Sequence, residues 1–173
     1  MKHRFHYTKA AHLKNICTDR FIKPATEFVQ KAKPAVWCST RQDFEPTAAV
    51  GEKVNGNYQP MSREQMAEIP LFNPVRIEVT PTSCPYDWRA YVKLSGITTR
   101  IAKALEKVAR AQGSRHEDWY VSFEAIQSEQ WINIAYYLDS EWKVLPMTDS
   151  IVQHLSTIPV DNLRETVISL CET

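Results

Sequence analysis

Four glycines in 173 residues close off the commonest routes to a nucleotide-binding fold. Neither G-x-G-x-x-G nor G-x-x-x-x-G-K occurs, so the chain lacks the backbone cradle that a Rossmann dehydrogenase or a P-loop enzyme wraps around phosphate. What remains is a set of short alternating runs and a few helical stripes. Val75-Arg76-Ile77-Glu78-Val79-Thr80 alternates apolar and polar residues, which predicts a strand with one wet face. Trp119–Phe123 and Gln130–Leu138 read as two more strands. Asp139-Ser140 reads as a turn that brings Glu141–Leu145 back as a hairpin partner.

The helices are fewer. Ile97–Gln112 is the clearest, with Ile97, Ile101, Ala102, Leu105, Val108 and Ala109 on one stripe and Gly113 as its stop. Its other face carries Arg100, Lys103, Lys107 and Arg110, a solvated face or a phosphate-contacting row. Residues 149–156 and 160–171 are expected to be helical. Tyr86–Leu94 is aromatic and mixed. From Thr40 to Pro74 the chain reads as irregular, with turn residues at Asn55-Gly56-Asn57; such a segment in a compact domain is usually a functional loop or lid, or else disordered. Within it, Ser62-Arg63-Glu64-Gln65 suits a capping box and a short helix to Glu68.

Composition narrows the class further. The length fits one domain, residues 1–173. Lys plus Arg number 21 and Asp plus Glu 20, so net charge supplies no global pull toward nucleic acid or membrane. No apolar run approaches the roughly 18 residues of a bilayer span. The basic start Met1–His6 is followed by Tyr7-Thr8-Lys9 rather than an apolar stretch, so no signal peptide is expected and a cytoplasmic protein is. Cys17, Cys38, Cys84 and Cys171 form no C-x-x-C pair. They are expected to be free thiols, buried and inert, Cys38 included, and no metal site is expected. His116-Glu117-Asp118 reads as a polar loop.

The amino-terminal third carries the functional signal. Arg4–Thr8 reads as a short strand, with Thr8 placed to cap the helix that follows and Leu13 and Ile16, with Ala10 or Cys17, on one face of that helix. Phe21-Ile22-Lys23-Pro24 leaves the helix, residues 25–33 form a loop or short helix, and Ala35-Val36-Trp37-Cys38-Ser39 is a buried strand. This strand–helix–turn–strand order, with His6-Tyr7-Thr8 ending the first strand and Trp37-x-Ser39 downstream, resembles the opening of the ADP-ribosyltransferase-like fold. The branch it resembles bears a His and includes poly-ADP-ribose polymerases and RNA 2′-phosphotransferases. The likeness covers about the first 47 residues; Arg20 departs from it at a helix end that usually favours Gly.

The resemblance implies an α+β domain with a small mixed or antiparallel split β-sheet core and flanking helices. It implies NAD as a substrate, with no metal, and ADP-ribosyl transfer to a protein or nucleic-acid acceptor, as in bacterial or phage toxins, effectors and defence factors. His6 and a carboxylate would be catalytic, the carboxylate being Glu124, Glu129 at the start of the next strand, or Glu45 in the loop that follows the Trp37 strand. Tyr7, Thr8, Trp37, Ser39 and Glu45 would contact the dinucleotide. Cleaving the nicotinamide–ribose bond passes through an oxocarbenium-like state, which needs a carboxylate and groups that fix the ribose. Each residue also has a plain structural role open to it: Tyr7 and Trp37 as core rings, Ser39 in a local turn bond, Glu45 capping Thr47. Two alternatives stand beside transfer: a non-catalytic binding or inhibitor protein on the same fold, and RNA 2′-phosphate transfer, for which Arg4, Arg41 and Arg76 would have to converge.

Overall fold

The computed structural model of the chain describes residues 2–25, 32–54 and 57–172. Most of the segment expected to be a loop or short helix at 25–33 lies outside them, as does the turn at Asn55-Gly56. The elements run β1 (Arg4–Lys9), α1 (Ala10–Asp19), β2 (Phe21–Ile22), β3 (Val36–Ser39), β4 (Gly51–Val54), β5 (Asn57–Pro60), α2 (Arg63–Ala67), β6 (Pro74–Val79), β7 (Tyr86–Asp87) and α3 (Trp88–Leu94). They continue α4 (Thr99–Ala111), β8 (Trp119–Ser122), β9 (Ile126–Gln127), β10 (Trp131–Leu138), β11 (Glu141–Pro146), α5 (Asp149–Thr157) and α6 (Leu163–Cys171).

Seven strands form one sheet in the order β11-β10-β6-β1-β3-β8-β7, and every neighbouring pair is antiparallel. The domain is therefore α+β around an antiparallel sheet. Strand pairing assigns the two faces, because directly opposed residues share one. His6 lies opposite Ile77, and Tyr7 lies opposite Arg76. Val75, Ile77 and Val79 join Leu13, Cys17, Val152, Leu155 and Val167 in the main core, so α1, α5 and α6 cover the first face. On the second face, α3 and α4 pack over β3 and β8 through Trp88, Tyr91, Ala102, Ala109, Trp119 and Val121. Fully burying one such Ile or Leu contributes about 2 kcal/mol, so these two clusters decide the layering.

Several expectations change here. Arg76 and Glu78 were to face water, yet both are buried, at 5% and 8% exposure. The loop after β3 folds over that face. In α4 the buried line is Ala102 and Ala109, while Ile101 and Val108 are 36% and 51% exposed. The segment 40–74 is not irregular throughout: it holds the β4–β5 hairpin and α2, whose expected capping box is present. Tyr86–Leu94 resolves into a two-residue strand and α3, with the Asp87 carboxylate accepting from Ala90 N–H at 2.8 Å. Thr8 does not cap α1, whose N-cap is Lys9 without a side-chain bond. The first amides of α1 donate instead to Asn73 O at 2.9 Å and Leu71 O at 3.0 Å.

The turns behave as read. Asp139 and Ser140 carry φ of 50° and 66° between β10 and β11, the primed turn a two-residue hairpin needs. Gly113, at φ 76°, closes α4 in a Schellman turn, Ser114 N–H reaching Ala109 O at 2.8 Å. Arg20 closes α1 in the left-handed region at φ 62°, where a side chain costs about 1 kcal/mol that glycine avoids. Its ion pair with the largely exposed Asp149 offsets only a fraction of that. Arg20→Gly is therefore expected to raise unfolding stability by roughly 0.5–1 kcal/mol in urea titrations; a loss of stability would contradict this account of the helix end.

Candidate functional site

The sheet is nearly divided between β1 and β3. β1 pairs with β6 at six successive residues, from Arg4 to Lys9, but meets β3 only at Phe5 opposite Ser39. Beyond that pair the strands no longer ladder, and the imidazole of His6 spans the seam: its Nδ1 lies 2.9 Å from Trp37 O. A carbonyl only accepts, so Nδ1 carries the proton and Nε2 presents a lone pair. Nε2 has no hydrogen-bond partner among the described residues. Burial is the main cause that lowers the pKa of His6; the bond to Trp37 O opposes it, and the charge of His12 adds to it. The ring is thus held neutral at neutral pH, with the lone pair of Nε2 as its acceptor.

The residues expected around His6 are divided by the strand period. Successive side chains point to opposite faces, so His6 faces the layer of α1 while Tyr7 faces away from it. Thr8 shares the His6 face and is partly buried. Trp37 meets His6 through its carbonyl and not its ring. The indole packs at 4.5 Å from Tyr91, 5.9 Å from Trp119 and 6.3 Å from Trp88, ring centre to ring centre, inside the second-face core. Ser39 is opposite Phe5, and Phe5 is opposite Glu78, so Ser39 also faces the second side.

On that second face the expected contact residues have other work. Tyr7 donates its hydroxyl to Arg41 O, Arg76 donates Nη1 to Gln42 O, and Trp142 donates Nε1 to Asp43 O at 2.7 Å. Consecutive backbone carbonyls of one loop are thus clamped by side chains of the sheet. The Arg76 guanidinium sits between the rings of Phe5 and Trp142, 4.8 and 4.6 Å from their centres. Burial pushes the Tyr7 phenol well above its ordinary pKa, so it remains a donor.

Glu45 ends this loop as a buried carboxylate, 5% exposed. It accepts from Ser39 Oγ at 2.8 Å, from Thr47 Oγ1 at 2.8 Å and N–H at 3.3 Å, and from Ser114 Oγ. Arg41 adds a bond from Nη1 to Gly113 O at 2.9 Å. The Schellman turn of α4 thereby aims Ser114 at the loop, and Glu45 ties β3, the loop and the helix end together. The roles read for Ser39 as a local turn bond and for Glu45 as the cap of Thr47 are the ones observed; neither side chain opens to a ligand.

Glu124 follows β8 in an exposed turn, its backbone N–H and C=O both bonded to Ser122 Oγ at 3.2 and 2.8 Å. Ser122 is opposite Val36, on the His6 face. Glu129 is exposed in the short turn before β10. A different imidazole–carboxylate pair does form: His3 Nδ1 contacts Glu78 Oε1, and Asn133 Nδ2 donates to Glu78 Oε2 at 2.6 Å. Nothing in local sequence announced it, because Glu78 and Asn133 meet only through the pairing of β6 with β10.

The three arginines considered for phosphate do not converge. The Arg4 guanidinium stacks 3.3 Å from the Tyr120 ring centre; Arg4 is opposite Val79 on the first face, whereas Arg76 lies on the second. A depression of about 440 Å³ lies away from His6, between the loop and α2, lined by Arg41, Asp43, Phe44, Arg63 and Glu64 among others. Its charges are already engaged, Arg63 with Asp43 and Glu64, and Arg41 with Phe44 O and Gly113 O. Cys17, Cys38 and Cys84 are buried free thiols, and Cys171 is exposed. Burial raises Cys17 to about 12 and Cys38 well above the usual thiol range, so neither is a thiolate nucleophile at neutral pH. Among the described residues no group of three metal-ligating side chains occurs, and no helix is long and apolar enough to cross a membrane.

Comparison with known protein families, curated proteins and solved structures finds no match to this chain.

Two outcomes follow from these geometries. Glu45→Ala strips four donors of a charged acceptor and is expected to lower stability by about 3 kcal/mol in denaturant titrations, whereas Glu124→Ala is expected to change it by less than about 0.5 kcal/mol. The depressed pKa of His6 means that the unfolded chain binds its proton more tightly. Its contribution to stability is then fully present above the free-histidine value of 6.5 and is lost as pH falls from there through the folded pKa. Wild type is expected to lose more stability than His6→Asn between pH 7.5 and about 5; identical pH profiles would contradict an imidazole held neutral by the fold.

Proposed function

We propose that this chain is an NAD-consuming ADP-ribosyltransferase-like enzyme that works at the seam between β1 and β3, where His6 takes a hydroxyl of the adenosine ribose. The observation that carries the reading is the orientation of His6. Its Nδ1–H is committed to Trp37 O, and a neutral Nε2 is left to accept. An acceptor fixed by a backbone carbonyl loses little entropy on binding a sugar hydroxyl. The β1–α1–β2–β3 order and the parting of the sheet at that seam fit the same reading.

In this chemistry the ribose–nicotinamide C–N bond breaks, nicotinamide leaves with the electron pair, and an acceptor nucleophile bonds the sugar carbon as its proton passes to a base. Glu124 is the proposed carboxylate, since Ser122 before it lies on the His6 face. Tyr7, Trp37, Ser39 and Glu45 act as supports: they fix the strand, ring core and loop from behind the seam, and the grip on nicotinamide must come from other groups.

The second reading is a non-catalytic binding protein on the same fold. It is favoured by the exposure of Glu124 and by the full engagement of Trp37, Ser39 and Glu45 within the protein. RNA 2′-phosphate transfer draws no support from Arg4, Arg41 and Arg76, which are spread over both faces.

Nicotinamide release from NAD, with mixed protein and nucleic-acid acceptors, separates these readings. Transfer predicts release by the wild type, reduced on the order of 100-fold or more in His6→Ala and Glu124→Ala variants that keep the native circular-dichroism spectrum. Binding of NAD without release would favour the second reading; neither heat of binding nor release in wild type would end the first.

A further inference from the structure

The charge of this protein is segregated. Between Trp88 and Ala111 six Lys and Arg stand against a single acid, a local charge of +5; with +1 for the whole chain, the remaining residues carry −4. The six are Arg89 and Lys93 on α3 and Arg100, Lys103, Lys107 and Arg110 on α4, and all are exposed. The lone acid, Glu106, is turned inward and accepts from Trp88 Nε1 at 2.8 Å. None of the six forms an ion pair among the described residues, although other cations such as Arg20, Lys23 and Arg164 do. Arg110 donates Nε to the Glu106 carbonyl at 3.3 Å within the helix, and its charge is among those that lower the pKa of Glu117.

The α4 cations recur at intervals of three and four residues, so they form one row along a rigid helix. At 1.5 Å per residue the row from Arg100 to Arg110 is about 15 Å long, a length that spans about four phosphates of one nucleic-acid strand. The helix is anchored from beneath by Ala102 and Ala109 in the second-face core and closed by the Schellman turn at Gly113, which holds the row in place without a ligand.

We infer that the exposed face of α4, with Arg89 and Lys93 beside it, docks the phosphate backbone of a nucleic acid. Charge complementarity selects the occupant: a linear polyanion matches a linear row of unpaired cations on a chain whose remaining residues are net acidic. Contact with backbone rather than bases makes the binding insensitive to sequence and strongly dependent on salt. Binding is read without NAD, so failure here and failure of the transfer reading are separate results.

The test is fluorescence anisotropy with end-labelled 20-nucleotide DNA and RNA of mixed sequence, single- and double-stranded, between 50 and 200 mM salt. About four phosphate contacts predict a log–log salt slope of about −3 to −4, a loss of affinity on the order of 100-fold across that range. The Lys103→Glu/Lys107→Glu double variant is expected to lower affinity at least about 10-fold and to reduce the slope by about 2. Its thermal melt should be unchanged because both side chains are exposed; if it is not, Lys103→Gln/Lys107→Gln replaces it, with a loss expected in the same direction. No binding at 50 mM salt would overturn the inference. So would binding unaffected by either variant, or binding to phosphatidylserine vesicles but to no nucleic acid.

Discussion

A β-strand turns successive side chains to opposite faces, and at His6-Tyr7 that rule governs everything built around the amino-terminal motif. One face of the sheet takes the imidazole and the layer of α1, α5 and α6. The other takes the phenol, the aromatic core under α3 and the loop after β3. A motif that reads as one cluster along the chain is therefore two clusters in space, joined only where His6 crosses the seam to the carbonyl of Trp37. The functional reading follows the imidazole, because its Nδ1–H is committed to Trp37 O and its lowered pKa leaves Nε2 a neutral acceptor.

The second cluster is a fastening. Tyr7, Arg76 and Trp142 hold consecutive carbonyls of Arg41–Asp43, and Glu45 collects hydroxyls from β3, the loop and the end of α4. Hydrogen bonds to a buried charge are worth roughly twice neutral ones, so this loop carries more of the fold's stability than its lack of regular structure suggests. The same fastening explains why a strand that alternates like a half-wet one is dry on both faces. Arg76 is enclosed by Phe5 and Trp142, and Glu78 by His3 and Asn133. It also positions α4 beside the loop, with its cationic row turned outward.

Local physics made much of this legible in advance. The period of two marked β6; aromatic and apolar runs marked β8 and β10; the Asp139-Ser140 pair marked the hairpin; Gly113 marked the end of α4; and the box at Ser62 and Gln65 marked α2. The features that local sequence does not announce share one cause: each depends on a partner distant in the chain. Thr8 lost its capping role because Leu71 and Asn73 carbonyls meet the first amides of α1. Ile101 and Val108 fall outside the buried line because α4 is oriented by Ala102 and Ala109 packing near Trp88 and Trp119. The expected site residues were read from adjacency along the strand, and adjacency along a strand is opposition across it.

Chemistry at the seam depends on the state of one ring. Long-range proton–nitrogen correlation spectra of the histidines, assigned with His6→Asn, report which nitrogen of His6 carries the proton. A neutral ring protonated at Nδ1 at pH 7, with its Nε2 resonance moving on addition of NAD, is the predicted result. An imidazolium or an Nε2-protonated ring, or a resonance that NAD leaves in place, would contradict it.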